Sequence, residues 1–427
     1  MLSLFTVRNF KSIVDLAVDF NYAEGKAPNG YKEMETMPFL SINLKKKFVP
    51  CLAIYGSNAS GKTNILNAVA NLQKVIREGI TGCFSPNKLH TEFTDTYFSI
   101  IFFINKTPYE YIVQYNDIEI VNESLSRKNE FIFKIDKGKL NFYGKLTKTY
   151  DLEKLRDIFT VECHDAEKKQ KFTFLNKIAN NYAGLNKHIS QVFNYLVNDI
   201  EIYPVTPSNH IPIGYGMEKL ISTGKVTEIN EAFEKIVSMI QKLDIDISRM
   251  SFERLPIDNI NFYLNELKDN NVNIVKEGKN FFVDNTYSYH KNPEGKEIKF
   301  KFSEESDGTQ KLAGILGIFL SVLYKGGVLF IDELEQSLHP LLLKELIRLF
   351  KHKKYNANNA QLIFTAHNTD ILDNELLRVS EIGIVNKSLK HGTIIRRVAE
   401  FEGVRNCSDF RKQYLNGEFS GIPFPYI

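Results

Sequence analysis

The stretch that decides the fold is Gly56-Ser57-Asn58-Ala59-Ser60-Gly61-Lys62-Thr63, preceded by the apolar run Val49-Pro50-Cys51-Leu52-Ala53-Ile54-Tyr55. It has the two glycines and the Lys-Thr pair of a P-loop. Its flanks predict a buried strand before it and a helix from Asn64 to about Arg77. N–H groups at the start of such a helix attract phosphate. We therefore predict a nucleoside triphosphate site, and the alternative is a Gly/Ser turn that only happens to fit the pattern.

The residue types of this loop predict separate roles. Lys62 is expected to reach the β- and γ-phosphate oxygens, and the Thr63 hydroxyl to hold Mg²⁺. The residues of this stretch expected to bind the nucleotide are Gly56, Asn58, Ala59, Ser60, Gly61, Lys62, Thr63 and Asn64.

A second stretch, Gly327-Val328-Leu329-Phe330-Ile331-Asp332-Glu333, predicts a buried strand that ends in two carboxylates. Asp332 is expected to complete the Mg²⁺ ligand set, and Glu333 to polarise the attacking water as a general base. An acidic strand end can also be purely structural, but the P-loop favours the catalytic interpretation. Because the two motifs lie so far apart in the chain, a large insertion must interrupt the nucleotide-binding fold.

Composition narrows the class of protein. The chain has 427 residues, 25% charged and 43% hydrophobic, with a net charge of +3. Such a length suggests two or three folding units, and the charge gives no global sign of a nucleic-acid binder. Its four cysteines form no Cys-x-x-Cys pair, which argues against a zinc site or a disulfide framework. Without a long apolar run or a signal-peptide pattern, we expect a cytoplasmic protein with no membrane partner.

The periodicity of the sequence predicts several segments. Tyr97 to Asn141 is rich in β-branched and aromatic residues broken by turns, which predicts an antiparallel meander. Residues 151–245 change to a helical period, and residues 250–302 return to strands, with a hairpin around Lys276 to Asn280. The last 130 or so residues alternate helix and strand, as a parallel sheet would.

Three further motifs follow in order. Ser306-Asp307-Gly308-Thr309-Gln310 precedes an apolar helix, and read alone it could be an ordinary N-cap. Ser337-Leu338-His339-Pro340 follows the acidic pair. Gln361-Leu362-Ile363-Phe364-Thr365-Ala366-His367 is another apolar strand with a polar end. A histidine at a strand end is usually structural, but the order of the motifs favours a functional His367.

In this order the motifs resemble the SMC/RecF branch of ABC-type ATPases, and within it the OLD and RloA-like ATPases of phage-defence and abortive-infection systems. The resemblance covers roughly residues 1–145 and 250–427. It includes the opening Val7-Arg8-Asn9-Phe10-Lys11-Ser12, the acidic stretch Glu305 to Thr309, and the ending Tyr414-Leu415-Asn416-Gly417-Glu418-Phe419-Ser420-Gly421-Ile422-Pro423.

The resemblance implies roles and a fold. Lys11 would approach the nucleotide, Ser306 and Gly308 would contact the γ-phosphate held by the opposite subunit, and His367 would sense that phosphate. The implied fold class is α/β, a P-loop ABC-type nucleotide-binding domain with an antiparallel β lobe and a mostly helical insertion. Its expected parts are 1–148 (P-loop and β lobe), 149–248 (helical insertion or lid) and 249–427 (signature, acidic strand and switch histidine).

The sequence departs from the family pattern at several places. Ser420 stands where the ending usually has glycine, and Ala366 where a second threonine is common. An Arg-Asp pair that the family often has shortly after the switch histidine is replaced by Arg378-Val379-Ser380-Glu381. No Q-loop glutamine can be placed. A C-terminal TOPRIM nuclease would need an acidic cluster and more residues than follow position 400, so that activity is not carried over.

The resulting hypothesis is an ATP- and Mg²⁺-dependent ATPase with Lys62, Glu333 and His367 as catalytic residues and Thr63 and Asp332 as metal ligands. ATP would join two chains into a dimer or a larger homo-oligomer, which controls a separate effector such as a nuclease or toxin encoded nearby. The alternative is a RecF- or SMC-like repair ATPase that clamps DNA directly, so nucleic acid stays open as a partner. A stand-alone nuclease and GTP in place of ATP also stay open.

Overall fold

The computed structural model shows an α/β protein built around one large mixed sheet. The structure describes residues 1–23, 35–43, 46–143, 152–182, 187–203, 212–256, 273–277, 280–402, 404 and 409–423.

Thirteen strands of the described chain form the large sheet. They are β1 (Leu2–Phe10), β2 (Ile13–Asp19), β5 (Cys51–Tyr55), β6 (Thr96–Ile104), β7 (Thr107–Tyr115), β8 (Ile120–Arg127), β9 (Glu130–Asp136), β10 (Lys139–Phe142), β11 (Ile200–Tyr203), β16 (Val328–Ile331), β17 (Gln361–Thr365), β18 (Ile382–Ser388) and β19 (Gly392–Arg397). The remaining strands are β3 (Leu40–Asn43), β4 (Lys46–Phe48), β12 (Arg249–Pro256), β13 (Asn273–Glu277), β14 (Asn280–Lys291) and β15 (Glu297–Lys301).

The large sheet has a parallel part and an antiparallel part. Its spatial order is β10-β9-β8-β7-β6-β1-β2-β19-β18-β5-β17-β16-β11. Strands β18, β5, β17, β16 and β11 run parallel to one another, and β18 pairs antiparallel with β19 on its other side. The strands from β10 to β19 pair antiparallel, which confirms the predicted meander and the β lobe.

The helices follow the predicted order of segments. They are α1 (Lys62–Glu78), α2 (Leu152–Glu162), α3 (Phe174–Asn181), α4 (Lys187–Asn194), α5 (Ile213–Ile221), α6 (Ile229–Lys242), α7 (Asp307–Lys325), α8 (Pro340–Lys351) and α9 (Phe410–Leu415). The predicted helix after the P-loop is α1, and the mostly helical insertion corresponds to α2 through α6.

Two compact units make up the chain. The first contains residues 1–205, 326–335 and 346–427, and the second contains residues 206–325 and 336–345. These boundaries differ from the three predicted parts, since the predicted insertion 149–248 is shared between both units. The three-part division stays a prediction about how the nucleotide-binding fold is interrupted.

The core of the first unit explains why the motif strands form where they do. All five residues of β5 and all four of β16 are buried, which suits strands covered on both faces. Helix α1 presents its buried face, including Ile65, Leu66 and Val69, to this same core. The P-loop therefore connects a rigid strand with a packed helix.

The second unit contains a smaller sheet. Strand β14 pairs antiparallel with β12, β13 and β15. Glu277, the last residue of β13, pairs with Asn280, the first residue of β14, where the sequence predicts a hairpin. Helix α7 follows this sheet and is almost entirely buried along its middle.

Some segments differ from the predictions. Residues 200–203 form β11 at the edge of the large sheet, within a segment that the sequence predicts to be mostly helical. The glycines and prolines at Gly25, Pro28, Gly30 and Pro38 predict a long loop over residues 21–40, which lies partly outside the described residues. Within the described part of the chain, no helix combines the length and apolar character that a membrane span needs.

Candidate nucleotide-binding and catalytic site

Parallel pairing brings three predicted site segments to one edge of the sheet. Strand β5 lies beside β17, and β17 lies beside β16, all in the same direction. The P-loop follows β5, Asp332 follows β16, and His367 follows β17. Because carboxyl ends of parallel strands meet at one edge, these residues share the edge where α/β sheets bind ligands.

Lys62 is held against the loop that it follows. Its Nζ donates to the carbonyl oxygens of Gly56 at 2.8 Å and Ser57 at 3.1 Å. The side chain is 6% exposed. It is the first residue of α1, so its charge lies where backbone N–H groups also face an anion.

The charges around Lys62 oppose each other. Burial lowers the pKa of its ammonium group, while the carboxylates of Asp332, Glu333 and Glu335 raise it. These three carboxylates are thus the main charged partners of the P-loop lysine. A triphosphate would add further negative charge beside Lys62 and favour its protonated form.

The end of the P-loop is braced from other parts of the chain. Gly61 has φ 107°, and a Cβ there would lie 2.2 Å from Thr393 Oγ1. Thr393 Oγ1 donates to the carbonyl oxygen of Ser60 at 3.1 Å and lies 2.7 Å from Ser12 Oγ. Asn64 Nδ2 donates to the same Ser12 hydroxyl at 2.7 Å. Glycine is therefore required at position 61.

The sequence interpretation missed the roles of Ser12 and Thr393. Ser12 is the last residue of the opening motif Val7 to Ser12, and that motif could have indicated a role for it. Thr393 lies in β19, far along the chain, and carries no motif of its own. Only the fold brings it to the P-loop.

Oxygen atoms suited to a magnesium ion lie at this edge. Asp332 is buried, and its Oδ1 accepts a hydrogen bond from Thr365 Oγ1. Its Oδ2 and the buried Oγ of Ser60 have no hydrogen-bond partner among the described residues. The Thr63 side chain is exposed and available to a ligand. Unpaired buried carboxylate oxygens are costly without a cation, so these groups fit Mg²⁺.

Glu333 has an unusual backbone conformation. Its φ is 47°, in the left-handed region that non-glycine residues rarely adopt. Its N–H donates to Thr365 Oγ1 at 2.8 Å, and its side chain is half-buried. Such strain is often found at functional sites, where surrounding contacts maintain it. The Thr365 hydroxyl accepts from the N–H of Glu333 and donates to Asp332, so one hydroxyl binds both acidic residues.

His367 is held by its backbone rather than by its ring. Its N–H donates to Glu335 Oε1 at 2.5 Å, and the N–H of Asn368 lies 3.4 Å from the same oxygen. The side chain of His367 is exposed. Glu335 is thus a further residue that the sequence interpretation missed, and it fixes where the histidine stands.

Lys11 borders a cavity of about 740 Å³ next to the P-loop braces. The cavity is lined by Lys11, Ser12, Gly392 and residues from 84–90 and 387–389. Lys11 has φ 50°, and its N–H donates to the carbonyl oxygen of Ser85 at 2.8 Å. Because Ser12 also binds Asn64 of helix α1, this cavity adjoins the predicted phosphate site.

Ser306 and Gly308, the residues predicted to contact the γ-phosphate held by the partner, lie in the second unit. Ser306 caps α7, since its Oγ accepts from Thr309 N at 3.2 Å and lies 2.9 Å from Thr309 Oγ1. A Cβ on Gly308 would lie 2.8 Å from the carbonyl oxygen of Ser337. The N-cap interpretation thus describes Ser306 as it stands, and contact of Ser306 and Gly308 with a partner's nucleotide stays a prediction.

The predicted ending of the chain packs beside the P-loop strand. The rings of Tyr55 and Tyr414 lie 5.6 Å apart, and Tyr414 OH donates to the carbonyl oxygen of Gly421. Ser420 has φ 58°, which explains why glycine suits this position. Its hydroxyl accepts from Asn386 Nδ2 at 2.8 Å.

A P-loop between a buried strand and a helix, with an acidic strand end beside it, defines a P-loop NTPase. Residues 230–373 match the domain family described as "AAA domain, putative AbiEii toxin, Type IV TA system". That match contains Ser306, Asp332, Glu333 and His367 and supports an ATPase in the general sense.

Several solved structures are similar. The SMC head domain from Thermotoga maritima has 14% identity and a TM-score of 0.41, covering 93% of this chain and 98% of that chain. The SmcHead bound to the C-winged helix domain of ScpA has 12% identity and a TM-score of 0.39, covering 95% of this chain and 99% of that chain. No curated protein matches the sequence.

Proposed function

We propose that this protein is an ATP-dependent clamp that regulates a separate effector in a phage-defence system of the abortive-infection type. Two chains would enclose two ATP molecules. Lys62, Thr63, Asp332, Glu333 and His367 would come from one chain, and Ser306 and Gly308 from the other. ATP binding would stabilise the closed dimer, and hydrolysis would release it.

The observation that carries the ATPase part of this proposal is the shared threonine at the acidic strand end. Thr365 Oγ1 donates to Asp332 and accepts from the N–H of Glu333 at 2.8 Å. This leaves Asp332 Oδ2 without a partner among the described residues. The arrangement separates a metal ligand from a general base on adjacent residues, which hydrolysis of a phosphoanhydride requires.

The residues of this chain would divide the chemistry. Lys62 would leave its carbonyl partners and neutralise phosphate oxygens, and the N–H groups that begin α1 would bind the same anion. Glu333 would accept the proton of the attacking water. Bound Mg²⁺ would neutralise charge that builds up on the phosphates. The cavity beside Lys11 would accept the nucleoside.

The regulatory part of the proposal depends on the resemblance to OLD and RloA-like ATPases. The description of the matched domain family names a putative AbiEii toxin and a type IV toxin–antitoxin system, which supports a role in a system of that kind. Foreign DNA or infection would be the trigger, and the second unit would transmit the nucleotide state to the effector. Co-purification with the product of the adjacent gene, with and without ATP, tests this part.

Substitution of the general base tests the ATPase mechanism. Glu333→Gln should bind ATP, lower kcat by about 10²–10⁴-fold and accumulate dimers, because the amide cannot accept the proton. Lys62→Ala should lose both ATP binding and turnover. Turnover at the wild-type rate in Lys62→Ala would show that the site is elsewhere.

A DNA measurement separates the proposal from the rival clamp. DNA binding by the purified chain that rises with ATP and falls steeply with salt would favour the RecF- or SMC-like alternative. Metal-dependent DNA cleavage by this chain alone would favour a stand-alone nuclease. The regulator that we propose should do neither without its partner.

A further inference from the structure

Glu305, the residue before Ser306, is bound by two side chains of strand β14. His290 Nε2 lies 2.6 Å from Glu305 Oε1, and Ser288 Oγ donates to the same oxygen at 2.5 Å. Ser288 and His290 are two positions apart on one strand, so they share a face of the sheet. With its proton on Nε2, the imidazole donates to the carboxylate.

This contact is partly buried in the second unit. Ser288 is fully buried, whereas the side chains of His290 and Glu305 are 32% and 13% exposed. The ring of Phe300 lies 5.5 Å from the ring of His290 in an edge-on arrangement. Because two side chains bind one mostly shielded carboxylate, the contact restrains Glu305 more firmly than a fully exposed ion pair would.

The main chain of Glu305 is restrained as well. Its N–H donates to the carbonyl oxygen of Phe302 at 3.2 Å, and its carbonyl oxygen accepts from Gln310 Nε2 at 2.8 Å. The position of Glu305 thus determines where Ser306 begins helix α7. The direction of the Ser306 hydroxyl follows from that start.

The other side of the same turn is also fixed. Lys311 Nζ donates to the carbonyl oxygen of Gln336 at 2.5 Å, and the Ser337 carbonyl leaves no room for a side chain at position 308. The turn from Ser306 to Gly308 therefore lies between β14 and the segment after Glu335. His290 and Ser288 form one of its two supports.

We propose that His290 is a positioning residue that acts through Glu305 to aim Ser306 and Gly308 at the nucleotide of the partner chain. This inference rests on the proposed function, because it assumes that the turn from Ser306 to Gly308 completes the nucleotide site of the partner chain. It assigns a role to the small sheet of the second unit. That sheet would hold the turn from Ser306 to Gly308 in the position that the partner's nucleotide requires.

The prediction separates two steps of the cycle. Binding of ATP by a monomer uses the P-loop of the first unit and should be unaffected by changes at His290. Dimer formation and hydrolysis use the turn and should weaken. Loss of one hydrogen-bond partner of this partly buried carboxylate corresponds to roughly a tenfold effect.

The experiment compares His290→Leu with His290→Gln in the full-length chain. Leucine cannot donate, whereas the glutamine amide can replace the imidazole N–H. His290→Leu should lower kcat about tenfold and, in the Glu333→Gln background, reduce ATP-dependent dimers. Fluorescent-nucleotide affinity of the monomer should stay at the wild-type value. His290→Gln should recover at least part of kcat.

Two further variants keep the test decisive. Ser288→Ala removes the other donor and should lower kcat in the same direction, even if His290→Leu folds poorly. Lys299→Gln removes an ion pair with Glu253, at 2.5 Å, in the same sheet and should leave kcat unchanged.

The outcomes distinguish the two proposals. A wild-type chain that neither binds nor hydrolyses ATP would overturn the proposed function, and this inference with it. A wild-type chain that hydrolyses ATP while His290→Leu and Ser288→Ala match its kcat would overturn the inference alone. An equal loss in His290→Leu and His290→Gln would likewise exclude a donor role.

Discussion

At the scale of single residues, Thr365 shows what a motif search does not reveal. The acidic pair was predicted from its own sequence, but the threonine that binds both residues lies on the neighbouring strand. Ile331 pairs with Phe364, so Thr365 stands opposite Asp332 by register. A sequence contains no direct record of that register, and the role of Thr365 therefore emerges only from the fold.

Replacing Thr365 by valine tests this role. Valine keeps the shape of the fully buried side chain but removes the hydroxyl that Asp332 and Glu333 share. We expect kcat to fall about tenfold or more, with a smaller effect on ATP affinity, because two hydrogen bonds at the acidic strand end are lost. Steady-state ATPase kinetics measure this. Thr365→Ser keeps the hydroxyl and should lie within a few-fold of wild type, and an equal loss in both variants would contradict the prediction.

Gly61 offers a matched pair of glycine substitutions. Gly61 and Gly82 both have positive φ, 107° and 68°. A Cβ on Gly61 would collide with Thr393, whereas a Cβ on Gly82 would meet nothing within 4 Å. Gly61→Ala should therefore displace the P-loop and weaken nucleotide binding by more than about tenfold, and Gly82→Ala should cost only about 1 kcal/mol of stability. Nucleotide titration and thermal unfolding separate the two effects. Tight binding by Gly61→Ala would show that the loop tolerates the displacement.

At the scale of elements, the sequence identified the strands that carry motifs and missed one that does not. Strands β5, β16 and β17 are continuous apolar runs bounded by turns or polar ends, which is a clear pattern. Strand β11, with the sequence Ile200-Glu201-Ile202-Tyr203, is four residues long and follows a helical segment. A pattern of four residues is compatible with the period of a helix and with that of a strand. Hydrogen-bond pairing with β16 identifies this segment as a strand.

Glu123 joins two elements of the first unit in a way that the sequence also did not predict. Its carboxylate on β8 accepts from the N–H groups of Phe174 at 2.8 Å and Leu175 at 3.0 Å, at the start of α3. Tyr111 OH and Gln170 Nε2 donate to it as well. Burial raises the pKa of Glu123 to about 7, although these four hydrogen bonds oppose the shift.

The raised pKa predicts a pH dependence of stability. The folded chain keeps the proton of Glu123 up to about pH 7, whereas the unfolded chain releases it near 4.5. The contribution of Glu123 to the free energy of unfolding is therefore fully present below about pH 4.5. It decreases by roughly 3 kcal/mol as the pH rises to about 7. Urea unfolding of wild type and Glu123→Gln across this range isolates the effect, since other groups titrate in both chains. A constant difference between the two chains would exclude it.

At the scale of the whole molecule, distant parts of the chain meet around the P-loop and the strand before it. Ser12 comes from the turn between β1 and β2, Thr393 from β19, and Tyr414 from the last helix. The resemblance includes the opening and ending motifs, but the sequence could not show that the opening contacts the P-loop and that the ending contacts the strand before it. Both motifs therefore support the same part of the fold.

Removal of the ending tests this assembly. The segment 410–423 contributes Phe410, Tyr414 and Phe419, each less than 10% exposed, so its loss should expose apolar surface beside β5. Each such ring contributes roughly 1.5–3 kcal/mol when buried. A chain ending at Asp409 should therefore unfold at a lower temperature and bind nucleotide more than about tenfold more weakly, even though the P-loop itself is intact. A chain ending at Pro423 is the matched control and should behave as the full-length protein. If the shorter chain bound nucleotide as tightly as the control, the ending would support stability alone and the P-loop would not depend on it.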